Sequence, residues 1–288
     1  MSLASFIVDR VAARAQRWDF ATAGRRGARL GRLLYRLDRR HRGVALRNLT
    51  AAFPDRDRLW HEQVARGSFA QAGRTIMELL WSPSLATLDD PTEVVRFESL
   101  DNLRDALAGG KGAIVATAHA GNWEITGIAA AHYGIPLISL ARTLDDPALD
   151  ARLVDLRTRT GQKVLPKQNA LRPTMRALKA GNAVALLTDQ NTLRREAVFV
   201  PYFGRLAATT PAAAHLHLRT GAPILNAFSI PEEGSYRVIL EPPMAIPESS
   251  DADAATAITA AITARIEHYV RAHPEAWLWM HDRWRERP

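Results

Sequence analysis

From residue 96 onward, short apolar runs alternate with stretches of helical periodicity. Five runs have the length and composition of buried strands, at residues 113–118, 136–141, 183–188, 223–229 and 236–241. Helices are predicted at residues 122–133, 147–160, 170–180, 210–220 and 252–272. This alternation is typical of a layered α/β fold and predicts a mostly parallel or mixed central sheet flanked by helices. We find no linker that would divide the chain, so residues 1–288 are predicted to form a single domain.

The basic residues of the chain are concentrated at its N-terminus. The whole chain carries a net charge of +8, and residues 1–47 alone hold twelve arginines against three acidic residues. Helical periodicity predicts helices at 3–18, 29–42 and 58–81, and in the second of these four leucines form one face and five arginines the other. The leucines are Leu30, Leu33, Leu34 and Leu37, and the arginines are Arg29, Arg32, Arg36, Arg39 and Arg40. This pattern is typical of a helix lying in a membrane interface.

The charge excess has more than one interpretation. Anionic lipid headgroups and nucleic acid phosphates both attract a basic segment, and a solvated surface helix carries the same pattern. No apolar run reaches the roughly 18–20 residues that a spanning helix needs, and the N-terminus lacks a secretory signal. We therefore expect residues 1–47 to form a basic amphipathic docking region, peripheral to a membrane on its cytoplasmic side.

Several kinds of catalytic site are excluded by residues and motifs that the sequence lacks. The chain has no cysteine, so disulfides, thiolate metal sites and cysteine nucleophiles are ruled out. It has no G-x-S-x-G nucleophile elbow, no phosphate-binding P-loop and no H-E-x-x-H metal motif. We therefore expect neither a metal ion nor a cofactor.

The strongest local signal is the segment from Ala116 to Glu124, with the sequence ATAHAGNWE. A buried strand leads into His119, and a turn of small residues separates His119 from a helix that carries Glu124 in its first turn. The carboxyl ends of strands are where open α/β sheets build their sites. Imidazole can remove a proton from a hydroxyl, and a neighbouring carboxylate can fix its tautomer. The other interpretation is a histidine at a strand end and a glutamate favouring a helix N-terminus.

The H-A-G-N-W-E segment resembles the H-x4-D/E motif of the glycerolipid and lysophospholipid acyltransferase superfamily. More narrowly, the chain is similar to the lipid A late acyltransferases and the related phosphatidylinositol mannoside acyltransferases. Further blocks resemble theirs in the same order: 48–54 (NLTAAFP), 187–191 (LTDQN), 198–204 (VFVPYFG), 208–211 (ATTP) and 274–283 (PEAWLWMHDR). Many relatives begin with a longer hydrophobic anchor, which this sequence lacks, and the basic N-terminal region is the expected substitute.

The resemblance implies direct transfer of a fatty acyl group to a lipid hydroxyl. The implied donor is a thioester of acyl carrier protein or coenzyme A, and the implied acceptor is a membrane glycolipid. A lipid A precursor is the first candidate, with phosphatidylinositol mannosides or lysophospholipids as alternatives. His119 is expected to act as general base and Glu124 to orient it and balance its charge.

Further site residues are assigned by the same resemblance. Arg142 is expected to stabilise an oxyanion or bind a phosphate, and Asp189 to hold Arg142 or the substrate. Arg194 and Arg195 are expected to meet a phosphorylated headgroup or the carrier. The remaining candidates for substrate contact lie in the matching blocks: Asn122, Gln190, Thr209 and Thr210. Thr209 and Thr210 also fit an ordinary helix start.

A rival hypothesis is a non-catalytic adaptor that uses residues 29–42 to dock on an anionic membrane or on RNA. It predicts that His119 and Glu124 are dispensable. The ordered blocks favour the enzyme, because an adaptor does not need them. The partners expected are therefore the acyl donor, the glycolipid and the anionic cytoplasmic surface of the inner membrane, with no nucleic acid.

Overall fold

The computed structural model describes residues 3–248, 250 and 252–288. The N-terminal part is helical and consists of α1 (Leu3–Ala15), α2 (Phe20–Leu37), α3 (Arg39–Ala52) and α4 (Arg58–Trp81). None of the helices within those ranges is both long and apolar enough to cross a membrane. Positions 1 and 2 of the predicted docking region lie outside the described residues.

The rest of the chain alternates between strands and helices. The strands are β1 (Val95–Glu98), β2 (Ala113–Thr117), β3 (Leu137–Ala141), β4 (Lys163–Pro166), β5 (Ala183–Leu187), β6 (Val198–Tyr202), β7 (Arg205–Thr209), β8 (Ile224–Glu232) and β9 (Ser235–Leu240). The helices are α5 (Leu100–Ala108), α6 (Trp123–Ala130), α7 (Pro147–Thr158), α8 (Leu171–Lys179), α9 (Ala212–Thr220) and α10 (Ala254–Ala272).

The central sheet has seven strands in the order β1-β9-β8-β2-β5-β3-β4. Its pairings are parallel except between β8 and β9, which form an antiparallel hairpin. The strands β6 and β7 pair separately as a second hairpin. The predicted fold, an α/β protein with a mostly parallel or mixed sheet between helices, is confirmed.

Alternate residues of the central strands enter different layers of the core. On β2, Ile114 and Ala116 join the cluster formed with α8, α9 and α10. Ala113 and Val115 join the cluster formed with α5 on the other side. Both faces of the strand are therefore buried, which explains why the central strands are continuous apolar runs.

The N-terminal prediction of one helix over 29–42 was wrong in its boundaries. The chain forms α2 and α3 instead, separated at Asp38, whose side chain accepts a hydrogen bond from His41 N and caps α3. An aspartate favours such a cap because its short side chain replaces the missing intrahelical acceptor. The sequence also gave no signal for the short edge strands β1 and β4, because four residues are too few for periodicity to register.

The helix α2 packs against α4 through glycines. A Cβ atom at Gly31 would collide with the carbonyl of Phe69, and one at Gly73 would collide with the carbonyl of Gly27. The two backbones are thus close enough that only glycine fits at these positions. The buried face of α2 therefore consists mainly of small residues, including Ala23 and Ala28.

This crossing turns the leucines of α2 outward. Leu30, Leu33, Leu34 and Leu37 are between 42 and 68% exposed. They lie beside the arginines that the sequence placed on the other face, which are also exposed. An apolar stripe that faces solvent beside basic side chains is unusual for a monomeric surface and marks an interaction face.

We predict that Gly31→Ala destabilises the protein. Overpacking a close backbone contact typically costs about 1–3 kcal/mol, which exceeds the gain of up to about 1 kcal/mol from replacing a helical glycine by alanine. The measurement is the free energy of unfolding in urea. The matched control is Gly43→Ala on α3, where a Cβ atom meets only Arg47 Nη1 at 3.5 Å, so this variant should be more stable than wild type. A gain in stability for Gly31→Ala would contradict the close crossing.

Candidate active site

His119 and Asp189 are brought together by the register of two parallel strands. Thr117 at the end of β2 lies opposite Leu187 at the end of β5. His119 and Asp189 each follow two residues later. Because parallel strands end at the same edge of the sheet, the two side chains meet there although they are 70 residues apart in sequence.

The contact between them is a two-point hydrogen bond. His119 Nδ1 lies 2.8 Å from Asp189 Oδ1, and the backbone N–H of His119 donates to Oδ2 at 2.9 Å. The indole N–H of Trp277 donates to the same Oδ2 at 2.8 Å. The Asp189 side chain is 1% exposed and that of His119 is 17% exposed. The carboxylate is thus held behind the imidazole, away from solvent.

The environment of Asp189 fixes the tautomer of His119. Burial alone would raise the pKa of Asp189, but the charge of His119 and the hydrogen bonds from His119 and Trp277 outweigh it and lower that pKa to about 2. An ionised carboxylate only accepts hydrogen bonds, so Nδ1 of His119 carries the proton. In the neutral ring Nε2 is then left as the atom able to accept a proton.

The predicted partner of His119 was therefore wrong. Glu124 forms a bidentate ion pair with Arg157 of α7, with Nε–Oε2 at 2.8 Å and Nη2–Oε1 at 2.7 Å. Burial by itself lowers the pKa of Arg157, but the hydrogen bonds and charge of Glu124 raise it. No local sequence signal marked Arg157, since it lies 33 residues from Glu124 in the chain. The catalytic importance of Glu124 stays a prediction.

The turn after His119 is built for close packing. Gly121 has a φ of +60°, and a Cβ atom there would collide with the carbonyl of Ser229. Asn122 caps α6 by accepting from the backbone N–H groups of Glu124 at 3.1 Å and Ile125 at 3.0 Å. The predicted substrate contact of Asn122 is wrong, because its side chain is fully buried and is used in this cap.

Two more assignments made from the sequence are corrected by burial. Asp189 does not hold Arg142 or reach substrate, since it lies behind the imidazole of His119. Arg142 is 78% exposed, with Asp145 at 3.9 Å. Thr209 is fully buried and accepts from Arg283 Nη2 at 2.6 Å, so it is part of the interior.

A cavity of about 770 Å³ opens at the carboxyl ends of the strands. His119, Glu124, Arg142, Gln190 and Thr210 line it together with Arg157. Arg194 and Arg195 are exposed and are not among its lining residues: Arg194 Nη1 donates to the carbonyl of Arg287 at 3.0 Å, and Arg195 lies 3.4 Å from Glu196. The cavity thus brings together five of the ten site residues that were predicted from the sequence.

A second, apolar cavity of about 60 Å³ adjoins the first. The two share the lining residues Thr117, Trp123, Gly127, Leu137 and Ala185. The inner cavity is otherwise lined mainly by aliphatic and aromatic side chains, among them Phe97, Leu103, Val115, Val238 and Leu240. The polar cavity at the sheet edge therefore has a small apolar cavity as its neighbour.

The C-terminal segment completes the site from behind. The carbonyl of His119 accepts from Leu278 N at 3.0 Å, and that of Ala276 accepts from Gly121 N at 3.0 Å. His281 Nε2 accepts from Asn191 N at 2.9 Å, and burial lowers the pKa of His281 to about 4, which keeps it neutral. The sequence marked this segment only as a matching block, so the hydrogen bond from Trp277 to Asp189 was missed.

The chain was compared with known proteins. Residues 20–286 match the family described as bacterial lipid A biosynthesis acyltransferase. The chain is 27% identical over 271 residues to the lipid A biosynthesis lauroyltransferase of Escherichia coli K12, covering 92% of this chain and 85% of that protein. It is 30% identical over 188 residues to the phosphatidylinositol mannoside acyltransferase of Mycobacterium tuberculosis H37Rv, covering 64% of this chain and 58% of that protein.

The region that matches the family includes both the histidine–aspartate pair and the cavity in front of it. It also includes α2 and the C-terminal segment behind Asp189, so that nearly the whole chain takes part in the likeness. The matching family and both relatives are named as acyltransferases, which favours the enzyme over the non-catalytic adaptor. The chain belongs to the bacterial lipid A biosynthesis acyltransferase family and is an enzyme that transfers acyl groups from a donor to a lipid acceptor.

Proposed function

We propose that His119 is the general base of direct acyl transfer from a thioester to a lipid hydroxyl. Nε2 takes the proton of the acceptor hydroxyl as its oxygen attacks the thioester carbonyl. The tetrahedral intermediate collapses, the C–S bond breaks, and the thiolate receives the proton from the imidazolium. The products are the O-acyl ester and the free thiol, and the enzyme returns to its starting state.

The observation that carries this proposal is the hydrogen bond from His119 Nδ1 to the buried Asp189 carboxylate at 2.8 Å. A buried anion behind the ring stabilises the imidazolium that forms during the reaction and keeps Nε2 as the acceptor. Asp189 therefore has the role that the sequence had assigned to Glu124. His119 lines the cavity, where an acceptor hydroxyl has access to it.

The Glu124–Arg157 pair supplies the wall next to the histidine. The carboxylate of Glu124 holds the guanidinium through two N–H groups, which leaves the remaining N–H groups of Arg157 free to meet a substrate oxygen. We infer that this pair binds the developing oxyanion or a phosphate of a substrate. Arg142, which is largely exposed at the cavity, adds a second cation for a phosphate.

The small apolar cavity beside the site is the proposed binding place of part of the fatty acyl chain, since about 60 Å³ holds only a few methylene groups. Its walls between Val115, Leu137 and Ala227 offer no hydrogen bond to a polar ligand through their side chains. An acyl chain buried there would gain roughly 0.8 kcal/mol for each methylene removed from water. Because the two cavities share five lining residues, we propose that the thioester lies in front of His119 in the larger cavity and that part of its acyl chain occupies the smaller one.

The proposed donor is a thioester of acyl carrier protein or coenzyme A, and the proposed acceptor is a membrane glycolipid. A lipid A precursor is favoured by the 92% of the chain that aligns with the E. coli lauroyltransferase. A phosphatidylinositol mannoside is the second candidate, because the 30% identity to the M. tuberculosis enzyme is higher over a shorter region. Mass spectrometry of the labelled product, with each acceptor offered in turn, decides between them.

The outward leucine stripe of α2 supports peripheral attachment at the cytoplasmic face of the inner membrane. Exposed leucines that enter the interface, next to arginines that meet anionic headgroups, combine the two forces that hold interfacial helices. We propose that this face, defined by Leu30, Leu33, Leu34 and Leu37 with the neighbouring arginines, docks the enzyme beside its lipid substrate. This face is called the docking face below.

We predict that His119→Ala and Asp189→Asn both reduce turnover. Loss of a general base usually costs a factor of about 10²–10⁴, so His119→Ala should fall in that range. Asp189→Asn should also be strongly impaired, because an amide can turn its NH₂ toward Nδ1 and favour the wrong tautomer. The measurement is transfer of radiolabelled acyl groups from a thioester donor to extracted membrane lipid. His132→Ala, an exposed histidine outside the cavity, is the control. Near-native turnover of a folded His119→Ala variant would refute the mechanism.

We predict that Glu124→Gln loses most activity while the fold is retained. The amide cannot neutralise Arg157, which is left as a partly buried cation and is free to change its position in the cavity. Turnover and circular dichroism are the measurements. Glu62→Gln, which breaks an exposed pair with Arg58 at 2.9 Å, is the matched control and should behave as wild type. Equal activity of Glu124→Gln and wild type would show that Glu124 only favours the start of α6 and has no part in acyl transfer.

We predict that the docking face controls membrane attachment. Each basic residue near an anionic leaflet contributes about 1 kcal/mol, and salt screens this contribution. Liposome flotation should show salt-sensitive binding of wild type to anionic vesicles. Binding should be lost when Arg29, Arg32, Arg36, Arg39 and Arg40 are changed to glutamine, and weakened by Leu33→Ser with Leu37→Ser. The control pair is Leu206→Ser with Leu218→Ser, two leucines that are equally exposed elsewhere. If all these variants bind alike, the docking face has another partner.

A further inference from the structure

An ionisable side chain lies fully buried behind the turn that follows His119. Glu78 of α4 is 0% exposed. Its Oε2 accepts from Asn122 Nδ2 at 2.7 Å and from the hydroxyl of Tyr236 at 2.7 Å, while Oε1 is 3.4 Å from Arg74 Nε. Burying a carboxylate is costly unless its oxygens are paired, so an apolar residue would be the simpler choice for packing alone. The presence of a carboxyl group here therefore indicates that Glu78 holds its hydrogen-bond partners in position.

The bond to Glu78 fixes the orientation of the Asn122 amide. Because the NH₂ group of Asn122 points to Glu78, its carbonyl oxygen must point the other way, to the backbone N–H groups of Glu124 and Ile125. Without an acceptor at Glu78, the two ends of the amide can exchange and the cap is lost. The first turn of α6, which carries Glu124, depends on that cap.

The same face of α4 grips the turn at a second point. Gln71 Nε2 donates to the carbonyl of Gly121 at 2.8 Å, and Thr75 Oγ1 donates to it at 3.1 Å. Gln71, Thr75 and Glu78 are four and three residues apart, so they form one stripe on the helix. This polar stripe therefore contacts two successive residues of the turn between His119 and α6.

We propose that Glu78 is a positioning residue for acyl transfer, which acts by orienting Asn122 and thereby the first turn of α6 with Glu124. The proposal rests on the proposed function only where its effect is measured as turnover. If Glu78 only stabilises the fold, removing any one of its hydrogen-bond partners should lower turnover to a similar extent. Positioning predicts that only the bond to Asn122 matters for turnover.

The test reverses the polarity of this hydrogen bond. Asn122→Asp keeps an oxygen for the helix cap but faces Glu78 with a second carboxylate. Because burial raises the pKa of Glu78 and a neighbouring carboxyl raises it further, the pair can share a proton, so the variant is assayed as a pH series. Its kcat should fall as the pH rises and the shared proton is lost, by about 10²-fold at the alkaline end, with little change in KM for the donor. Glu78→Gln keeps an accepting oxygen for Asn122 and should stay within about fivefold of wild type, the size of one net hydrogen bond.

The double variant Glu78→Gln with Asn122→Asp is the decisive one. The glutamine NH₂ can now donate to the aspartate, so the bond is restored in the opposite direction and kcat should recover to within about tenfold of wild type. Tyr236→Phe is the matched control, because it deletes the other donor to the same Oε2 without touching Asn122. It should lower the melting temperature and leave kcat nearly unchanged.

Amide hydrogen exchange gives a readout that does not need activity. The N–H groups of Glu124 and Ile125 should exchange faster than wild type in Asn122→Asp and slow again in the double variant. An inactive wild-type protein would refute the proposed function, and the exchange data would still test the positioning. The positioning is overturned if Asn122→Asp keeps its turnover and protection, if the double variant recovers neither, or if Tyr236→Phe loses as much kcat as Asn122→Asp.

Discussion

The candidate active site depends on one hydrogen bond between a histidine and a buried carboxylate. Asp189 is ionised inside the protein because it receives three N–H groups, two from His119 and one from Trp277. This arrangement offsets the cost of burying its charge and at the same time fixes the ring of His119. The bond joins two directly neighbouring parallel strands, β2 and β5, in the interior of the seven-stranded sheet.

Helix α4 connects this site to the N-terminal helices. One stripe of α4 contacts the turn after His119 through Gln71, Thr75 and Glu78. Another part of the helix meets α2 at the glycine crossing, and a Cβ atom at Gly24 of α2 would collide with Oε1 of Glu78. The proposed membrane-docking helix and the catalytic turn are thus separated by the width of a single helix. A docking face so close to the site suits an enzyme whose acceptor is a lipid.

The glycine crossing of α2 and its exposed leucines are two results of the same packing against α4. The glycines allow α2 to pack closely using small residues, and this packing leaves between 42 and 68% of each leucine exposed. A leucine stripe would normally be read as the buried side of a helix. Here the buried side is the glycine and alanine side. The exposed leucines are therefore available for the proposed contact with the membrane.

The sequence by itself determined the α/β fold, the central strands and the family, and it singled out His119 as the candidate general base. Buried parallel strands are continuous apolar runs, and His119 stands out because it ends one of them. Only the tertiary structure decided which carboxylate serves His119, since Asp189 and Glu124 are both candidates until the strand register pairs the first with His119 and α7 brings Arg157 to the second. The same holds for Glu78 and Trp277, which approach the turn from helices and segments remote in the chain. Periodicity reports the environment of a residue along its own element, whereas partners of high sequence separation are set by how the elements pack.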